Sequence, residues 1–415
     1  MKYGLIGEKL GHSYSCEIHA QIGGYDYELK EIEKDALDDF FARKDFLAIN
    51  VTIPYKQSVI PYLDCISDEA KSIGAVNTIV NDGKKLCGYN TDYYGIKALC
   101  DYAGISVKDK KVLVLGTGGT AKTATAVFRD LGAKDVVKVS RTKRAGVITY
   151  AEAMSEHCDA SVIFNATPVG MYPNDDNAPI LLDAFKSLEG VLDAIYHPLC
   201  TNLVLDARAR CIKAEGGLYM LAAQAVYASK LFMGESIECV DNFIIEKAYK
   251  HVLKQKKNIV LVGMPSSGKS SVGEMLAKAL NREFYDTDVE IEKRIVMSIA
   301  DYFEINGEQS FREIESEVIN GVSKESGVVI ATGGGSVLNC GNVNALKRNG
   351  VLVFLDRALE NLISTSSRPL SSDRQKLQTL FEQRYDLYSS VADVKIDGNG
   401  CLSDVVDSIV KELQL

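Results

Sequence analysis

The stretch that decides the fold of the first part of the chain is Lys111-Val-Leu-Val-Leu-Gly-Thr-Gly-Gly-Thr-Ala121. It joins a short apolar run to the pattern G-x-G-x-x-A and opens a helical pattern, Thr120–Leu131, that Gly132 closes. A second apolar run, Asp135–Ser140, completes a segment of about 30 residues. This succession predicts a βαβ unit, with a parallel sheet and a right-handed crossover.

The glycine-rich turn and the end of the second strand together predict a dinucleotide site. Glycines let the backbone approach a pyrophosphate closely, and the following helix offers free N–H groups and a partial positive charge. The segment Ser140-Arg-Thr-Lys-Arg144 carries three cations and no carboxylate, which favours a ribose 2′-phosphate. The pattern therefore indicates NADP rather than NAD. A solvated basic turn is the alternative.

A different phosphate loop, Gly263-Met-Pro-Ser-Ser-Gly-Lys-Ser270, lies between an apolar strand at 258–262 and a helical pattern at 269–280. It matches the full pattern G-x-x-x-x-G-K-[ST], in which backbone N–H groups cradle the phosphates. Lys269 is expected to reach the terminal phosphates, and the Ser270 hydroxyl is expected to bind Mg²⁺. The loop predicts a nucleoside triphosphate site, with a chance match as the alternative.

The seam between the two parts is predicted at His251-Val-Leu-Lys-Gln-Lys-Lys-Asn258, which is basic, polar and free of motif residues. One or two long helices are expected before it, from Leu218 to Lys254. After it, apolar runs near 283–286, 327–331 and 351–355 continue an α/β pattern. Two nucleotide loops of different kinds, on opposite sides of a seam, predict two activities in one chain.

Composition places the 415-residue chain among ordinary globular proteins, with 46% apolar and 25% charged residues. The net charge of −9 is spread over both parts, which argues against nucleic acid and anionic lipid as partners. No apolar run approaches about 18 residues and the first residues lack a signal-peptide pattern, so we expect a cytoplasmic protein. The ten cysteines form no CxxC pair, and we expect them to be reduced and mostly buried.

Six ordered segments make the first part resemble shikimate dehydrogenases. They are His12-Ser-Tyr-Ser15, Asn50-Val-Thr-Ile-Pro-Tyr-Lys56, Gly74-Ala-Val-Asn-Thr78, Gly88-Tyr-Asn-Thr-Asp92, Asn165-Ala-Thr-Pro-Val-Gly-Met171 and Gly217-Leu-Tyr-Met-Leu-Ala-Ala-Gln224. The resemblance implies a dehydrogenase over 1–252. Its substrate lobe would take residues 1 to about 98 and the C-terminal helices at about 220–250. A Rossmann lobe that binds NADP(H) is implied between them, at about 99–219.

The resemblance also implies residue roles in this part. Reduction of a ketone needs a proton donor at the oxygen, a role that falls to Lys56, with Asp92 holding and relaying the proton. The implied substrate contacts, with the serines on the carboxylate, are Ser13, Ser15, Thr52, Lys56, Asn77, Asp92, Tyr196 and Gln224. The implied NADP contacts are Gly116, Gly118, Gly119, Ala121, Ser140, Arg141, Thr142, Lys143, Thr167, Gly217 and Met220. Tyr196 is expected beside the nicotinamide, with an ordinary loop tyrosine as the alternative. Lys56 is expected to lie away from the dinucleotide loop.

Three positions depart from the dehydrogenase pattern. Cys16 stands where the family usually has Pro, and Ser140 replaces an Asn in the basic turn. The next family Arg normally sits one position after Arg144. Arg141 is therefore a firmer 2′-phosphate ligand than Lys143 or Arg144.

Residues 257–415 resemble shikimate kinases. Beyond the phosphate loop, the segments that carry this resemblance are Phe284-Tyr-Asp-Thr-Asp288, Ile299-Ala-Asp-Tyr-Phe-Glu304, Gly307-Glu-Gln-Ser-Phe-Arg-Glu-Ile-Glu315, Gly333-Gly-Gly335, Arg368-Pro-Leu370 and Arg384-Tyr-Asp-Leu-Tyr388. As in the family, the strand before Gly333 ends in Ala331-Thr332 and offers no Walker-B Asp.

The kinase resemblance implies a site for ATP, Mg²⁺ and shikimate, in which Lys269 and Asp288 are catalytic. The implied ATP contacts, including Arg368 of a lid, are Gly263, Pro265, Ser266, Ser267, Gly268, Lys269, Ser270, Ser271 and Arg368. The implied substrate contacts are Asp288, Arg312, Gly333, Gly334, Gly335 and Arg384. Ser270 and Asp286 are implied near Mg²⁺. Alternatives are a helix cap for the two aspartates, and a surface pair of Arg312 with Glu315.

The sequence therefore predicts an α/β protein with a two-lobed dehydrogenase followed by a P-loop kinase. The combined reading is a bifunctional enzyme that reduces 3-dehydroshikimate with NADPH and then phosphorylates shikimate with MgATP. Its partners would be these small molecules, with no nucleic acid and no membrane, and its oligomeric state stays open. Two rivals remain: a quinate-preferring dehydrogenase that uses NAD, and a ligand-sensing module with one inactive half.

Overall fold

The computed structural model describes residues 1–11, 13–238, 240–363 and 374–415. The chain divides into two compact units, Met1–Leu253 and Lys254–Leu415. The division falls within the last turn of a helix that ends at Lys256, and the next strand begins at Asn258. His12 lies outside the described residues, and so does Arg368 with the small, polar stretch 364–369 that the kinase resemblance implies as its lid.

The first sheet of unit 1 is mixed and has the strand order β2-β1-β3-β5-β6-β4. Its strands and the helices among them are β1 Tyr3–Gly7, α1 Ser15–Ile22, β2 Tyr27–Glu31, α2 Leu37–Arg43, β3 Ala48–Val51, β4 Cys65–Ile66, α3 Asp68–Ile73, β5 Thr78–Asn81 and β6 Leu86–Tyr89. Strand β5 runs antiparallel to both β3 and β6. Strands β3 and β6 flank β5 and run in the same direction as each other, so their carboxyl ends lie at the same edge of the sheet. This brings together the segments 50–56 and 88–92, which follow from these two strands.

The second sheet of unit 1 is wholly parallel and has the order β12-β11-β10-β7-β8-β9. Its elements are β7 Lys111–Leu115, α5 Gly119–Asp130, β8 Asp135–Ser140, β9 Val147–Thr149, α6 Tyr150–Glu156, β10 Val162–Asn165, β11 Gly190–Asp193, α7 Asn202–Ala209 and β12 Lys213–Glu215. The order reverses beside β7, whose carboxyl end carries the glycine-rich turn. Ligands of open α/β sheets bind at such a switch point.

Three helices complete unit 1: α4 Asp92–Ala103, α8 Leu218–Phe232 and α9 Asn242–Lys256. Apolar side chains of all three share one core cluster with α5, including Ile96, Ala124, Ala222 and Tyr249. The long-helix prediction for 218–254 is confirmed as two helices. This shared core fixes the first residue of α4 relative to the start of α5.

Unit 2 is built on a five-stranded parallel sheet of order β14-β15-β13-β16-β17. Its elements are β13 Asn258–Val262, α10 Lys269–Leu280, β14 Phe284–Asp286, α11 Thr287–Ile295, α12 Ile299–Val322, β15 Val329–Ala331, α13 Cys340–Asn349, β16 Gly350–Asp356, α14 Arg374–Val391, β17 Val394–Asp397 and α15 Leu402–Glu412. Helix α12 is kinked at Gly307, where φ is +80°. Because β13 is central, the phosphate loop that follows it opens at the middle of the carboxyl edge.

The predicted α/β fold class is confirmed, and the expectation for the cysteines is wrong. Cys65 and Cys87 form a disulfide between β4 and β6, where the two residues are register partners. Among the described free cysteines, only Cys100 is buried and four are exposed. The sequence hides the pair because it separates the two cysteines by 22 positions. Within the described parts of the chain, no helix is long and apolar enough to cross a membrane.

Candidate active sites

The centre of the first site is an ion pair between Lys56 and Asp92, with Nζ 2.5 Å from Oδ2. Lys56 lies in the loop after β3, where its carbonyl accepts a hydrogen bond of 2.7 Å from the Val76 backbone N–H. Asp92 is the first residue of α4 and is buried. Side-chain exposure is 14% for Lys56 and 7% for Asp92. This ammonium is therefore shielded and oriented, whereas most lysines lie in solvent.

A network of buried amides and hydroxyls adjoins this pair. Asn77 accepts from the Thr91 backbone N–H at 2.7 Å and donates to Thr91 Oγ1 at 3.1 Å. Gln224 Oε1 receives a hydrogen bond of 3.3 Å from Thr91 Oγ1 and one of 3.5 Å from Asn77 Nδ2. The structure thus brings together Asn77, which directly precedes β5, and Gln224 of α8. Thr91, to which the sequence analysis gave no role, links them.

The serine segment lies at the start of α1. Ser13 Oγ donates to Ser15 Oγ at 3.0 Å, and Ser15 is buried. The Tyr196 ring lies 5.3 Å from the Tyr14 ring, and burial raises the pKa of the Tyr196 phenol to about 12. Thr52 is half-buried and its backbone N–H donates to Ile6 at 3.0 Å. Short hydroxyls in this arrangement suit recognition of a carboxylate.

The dinucleotide turn has the form that the sequence predicts. Gly116 has φ +116°, and its Cβ position faces the Ala166 carbonyl at 3.2 Å, so a side chain there is disfavoured. A Cβ at Gly118 would meet nothing within 4 Å, which leaves open space in front of the turn. Ala121 is buried in α5. The open space next to free N–H groups fits a pyrophosphate.

One expectation about this turn is wrong. A Cβ at Gly119 would lie 3.4 Å from Lys56 Cδ, so the lysine stem packs against the start of α5. Asn90 Nδ2 donates to Thr123 Oγ1 at 3.2 Å and to the Ala75 carbonyl at 2.9 Å, which ties the same region together. The sequence could not show this approach because it depends on how the two sheets of unit 1 are joined.

The cations of the basic turn after β8 differ in whether they are already engaged in an ion pair. Lys143 pairs with Glu152, the capping-box residue of α6, and this contact, more than any other, holds the pKa of Glu152 down to about 2. Arg141 and Arg144 are exposed, and neither has a side-chain ion pair among the described residues. The Thr142 backbone N–H donates to Ser140 Oγ at 3.3 Å. Arg141 is therefore free to meet an anion, whereas Lys143 must first leave Glu152.

Two further loops carry residues implied to contact NADP, and the one at Ala166 and Thr167 borders the turn at Gly116. Thr167 donates to Asn165 Oδ1 at 2.7 Å, and Asn165 Nδ2 donates in turn to Asp193. Burial raises the pKa of Asp193 to about 6. A Cβ at Gly217 would lie 2.2 Å from the Ala194 carbonyl, so no other residue fits there. Met220 is buried in the first turn of α8. Asn165 and Asp193 are positioning residues to which the sequence analysis gave no role.

The phosphate loop of unit 2 curls around its lysine. Lys269 Nζ donates to the carbonyls of Gly263 at 2.9 Å and Met264 at 2.8 Å, and the side chain is buried. Ser266 and Gly268 have φ +63° and +92°, which turns successive N–H groups inward. Ser267 is buried and Ser271 is exposed. Pro265 lies against the glycine segment, 2.9 Å from the Cβ position of Gly334.

Ser270 and Asp286 meet at the mouth of this loop. Ser270 Oγ donates to Asp286 Oδ2 at 2.5 Å, and Asp286 Oδ1 accepts from the Asp288 backbone N–H at 2.9 Å. The cap alternative is thus correct for Asp286, and one carboxylate oxygen remains directed at Ser270. Among the described residues no three His, Cys, Asp or Glu groups cluster as a metal site. One carboxylate and one hydroxyl fit Mg²⁺, which keeps waters and phosphates as its other ligands.

A cleft of about 620 Å³ extends from Ser270 along α11, α12 and the glycine segment. Arg312 Nη1 donates to Glu315 at 2.7 Å, and the same carboxylate accepts from Ser336 at 2.9 Å. Glu315 is only 1% exposed, so the surface-pair alternative is wrong. Arg384 donates to the Gly334 carbonyl at 3.0 Å.

The glycine segment is shaped by these neighbours. A Cβ at Gly335 would lie 2.2 Å from Arg312 Nη1, and one at Gly333 would lie 2.7 Å from Asp288 Oδ1. The structure thus brings Asp288, both arginines and all three glycines into one cleft. Glu315, which orients Arg312, was missed as a site residue, and its spacing of three from Arg312 was the available signal.

Comparisons with known proteins follow this division. Family models match for the shikimate dehydrogenase substrate binding domain over residues 5–79 and for shikimate kinase over 265–414. A shikimate dehydrogenase (NADP(+)) of Clostridium beijerinckii is 40% identical over 266 residues, which cover 60% of this chain and 96% of the relative.

Solved structures resemble the same part. A chorismate mutase/shikimate 5-dehydrogenase fusion protein from Clostridium acetobutylicum is 36% identical, with a TM-score of 0.56 over 60% of this chain and 95% of its own. A shikimate 5-dehydrogenase from Thermus thermophilus, in complex with NADP(H) and shikimate, is 28% identical, with a TM-score of 0.54 over 60% of this chain and 99% of its own.

Proposed function

The chain belongs to the shikimate dehydrogenase family and also carries a shikimate kinase domain, so it is a bifunctional enzyme of the shikimate pathway. We propose here which residues carry each of its two reactions. One activity reduces 3-dehydroshikimate to shikimate with NADPH. The other phosphorylates shikimate at its 3-hydroxyl with MgATP. We assign them to residues 1–252 and 257–415, so that the product of one half is the substrate of the other.

For the reduction, Lys56 is the proton donor. NADPH supplies the hydride to the ketone carbon. The Lys56 ammonium donates its proton to the ketone oxygen as that oxygen becomes a hydroxyl, and Asp92, 2.5 Å away, stabilises the ammonium and passes on a replacement proton. The shielded Lys56–Asp92 pair is the observation that carries this proposal.

Substrate recognition uses two sets of polar side chains, the serines at the start of α1 and the network around Asn77. Ser13 and Ser15 bind the substrate carboxylate through their hydroxyls. Thr52 and the Asn77–Gln224 network bind the ring hydroxyls, since their amides and hydroxyls are already oriented by buried hydrogen bonds. The open space at the turn of Gly118 holds the pyrophosphate, and Arg141 binds the 2′-phosphate.

For the phosphorylation, we propose that the phosphate loop and the adjoining cleft of unit 2 supply a base, a metal site and cations. Lys269 exchanges its two loop carbonyls for the terminal phosphates. Ser270 and Asp286 would hold Mg²⁺, which would supply neutralisation of phosphate charge. Asp288 accepts the proton of the attacking 3-hydroxyl, and Arg312 and Arg384 clamp the substrate carboxylate.

The proposed split is tested by a reciprocal pair of variants in the full chain. Lys56→Met should stop the reduction and leave phosphorylation of supplied shikimate intact. Lys269→Met should do the reverse. Loss of both activities in either variant would contradict the assignment of the two reactions to separate sites.

A cytoplasmic location, and the lack of nucleic-acid and membrane partners, are proposed on the acidic charge of both parts and on the use of NADPH and ATP.

A further inference from the structure

We propose that Arg357 is a second cation of the ATP site and binds the α/β-phosphate portion of the nucleotide. The proposal deepens the kinase assignment and rests on the phosphate loop being the nucleotide site. Lys269 is expected at the terminal phosphates, so the two cations would divide the triphosphate between them. No sequence motif pointed to Arg357.

The position of Arg357 follows from the sheet. Strand β16 pairs with the central strand β13, with Val262 opposite Phe354. Arg357 is the first residue after β16, at the carboxyl edge where the phosphate loop begins. A Cβ at Gly268 would lie 3.6 Å from Arg357 Nη1, so the guanidinium borders the residue directly before Lys269. Backbone N–H groups at this point of such a loop cradle the α/β-phosphates.

The Arg357 guanidinium has no protein partner within 1–11, 13–238, 240–363 and 374–415. The adjacent carboxylate of Asp356 is taken by Lys395 Nζ at 2.8 Å and by the Tyr385 hydroxyl at 3.1 Å. Among the described residues, Arg357 forms no side-chain hydrogen bond or ion pair, and its Nε is shielded from solvent. A shielded, unpaired cationic N–H is costly unless a ligand meets it. Phosphate is the anion that a loop of this pattern receives.

The backbone around Arg357 is fixed before any ligand arrives. Asn399 Oδ1 accepts from the Ala358 backbone N–H at 3.0 Å and from Asn361 Nδ2 at 2.8 Å. The Gly398 N–H donates to the Asp356 carbonyl at 2.8 Å. These contacts join the ends of β16 and β17. The arginine is therefore presented from a rigid edge, which lowers the entropic cost of a phosphate contact.

The test is nucleotide binding by the full chain, measured by calorimetry with saturating NADP⁺ to occupy the other nucleotide site. ADP and a non-hydrolysable ATP analogue should both bind Arg357→Gln about tenfold more weakly, the effect of one lost charge-assisted hydrogen bond. Arg357→Lys should recover much of the loss. Arg294→Gln, which removes an exposed arginine paired with Glu317, is the matched control and should bind normally.

Several results would overturn the proposal. Unchanged ADP affinity in Arg357→Gln would do so, as would an equal loss for adenosine, which would move the contact to the base. A lower unfolding temperature without nucleotide would make Arg357 a structural residue, because the proposal predicts no change there. If the unmodified chain failed to bind ADP at all, the assignment of the phosphate loop itself would fall, which is a distinguishable outcome.

Discussion

Lys56 and Asp92 are 36 positions apart in the sequence, yet their side chains form an ion pair of 2.5 Å. Strand β5 runs antiparallel to the strands on either side of it, and Lys56 and Asp92 follow those two neighbours. The loop after β3 and the start of α4 are thereby held face to face. A proton donor and its carboxylate partner are thus fixed by the sheet and not by a local motif.

Lys56→Ala should lower kcat of the reduction by a factor of about 10²–10⁴, because the ketone oxygen loses its proton donor. The stem of Lys56 packs near Gly119, so this variant should also weaken NADPH binding slightly. Lys56→Met keeps an aliphatic stem and is the matched control: it should lose kcat equally and bind NADPH normally. A near-normal kcat in either variant would return Lys56 to an ordinary lysine.

Arg141→Ala should raise the KM for NADPH about tenfold or more and leave the KM for NADH unchanged, because only NADPH carries the 2′-phosphate. Lys143→Ala should have a smaller effect, since Lys143 is engaged with Glu152. Steady-state kinetics with both cofactors measures this. Equal kcat/KM for NADPH and NADH in the unmodified chain would contradict the preference for NADP and favour the quinate-type rival.

Acid should destabilise unit 1 through His19. This ring is fully buried and stacks on Tyr27 with centroids 3.8 Å apart, and burial lowers its pKa to about 3. An unfolded histidine has a pKa near 6.5, so between about pH 6.5 and 3 the unfolded state binds the extra proton. The free energy of unfolding should therefore decrease as the pH is lowered from 6.5 towards 3. This group contributes at most about 1.4 kcal/mol per pH unit.

The effect is measured as the free energy of unfolding in urea at several pH values. Hydrogen exchange of the β1 and β3 backbone amides reports on unit 1 specifically. His19→Phe, which keeps a stacked ring, should show a shallower slope between pH 6.5 and 4.5 than the unmodified chain. Identical slopes would mean that His19 does not govern the acid response.

The sequence was sufficient for the parts of the fold that have local patterns. Strand β7, helix α5 and strand β8 lie within a residue of their predicted positions, because an apolar run, a glycine turn and a second run are each visible locally. Strands as short as β4, with two residues, carry no such pattern. The same limit hid the Cys65–Cys87 disulfide, which depends on the pairing of β4 with β6.

In the sites, segments could be predicted and their mutual contacts could not. The sequence shows Asp286 and Asp288 and allows either a helix cap or a metal ligand. Only the structure shows that Asp286 caps α11 with one carboxylate oxygen and accepts a hydrogen bond from Ser270 with the other. Arg357 had no signal at all, since an arginine after a strand is usually solvated. These features arise from the meeting of separate elements, which spacing along the chain does not encode.

The seam predicted at 251–258 allows several cut points, and the structure favours a cut before Lys254. Arg282 donates to the Lys257 carbonyl at 2.9 Å and to the Lys254 carbonyl, so a second fragment that began at Lys256 would lose one anchor. Fragments 1–253 and 254–415 should each be soluble and keep their own reaction. Separate expression and assay measures this. Inactive fragments alongside an active full chain would replace two independent units with one coupled enzyme.

The central claim, that two independent sites act in sequence on one chain, is tested most directly by product analysis of Lys269→Met with 3-dehydroshikimate, NADPH and MgATP together. The unmodified chain should convert 3-dehydroshikimate to shikimate 3-phosphate. The variant should oxidise NADPH at the normal rate and accumulate shikimate, because only the terminal phosphates have lost their cation. Loss of NADPH oxidation in the variant, or formation of shikimate 3-phosphate at the normal rate, would contradict the account.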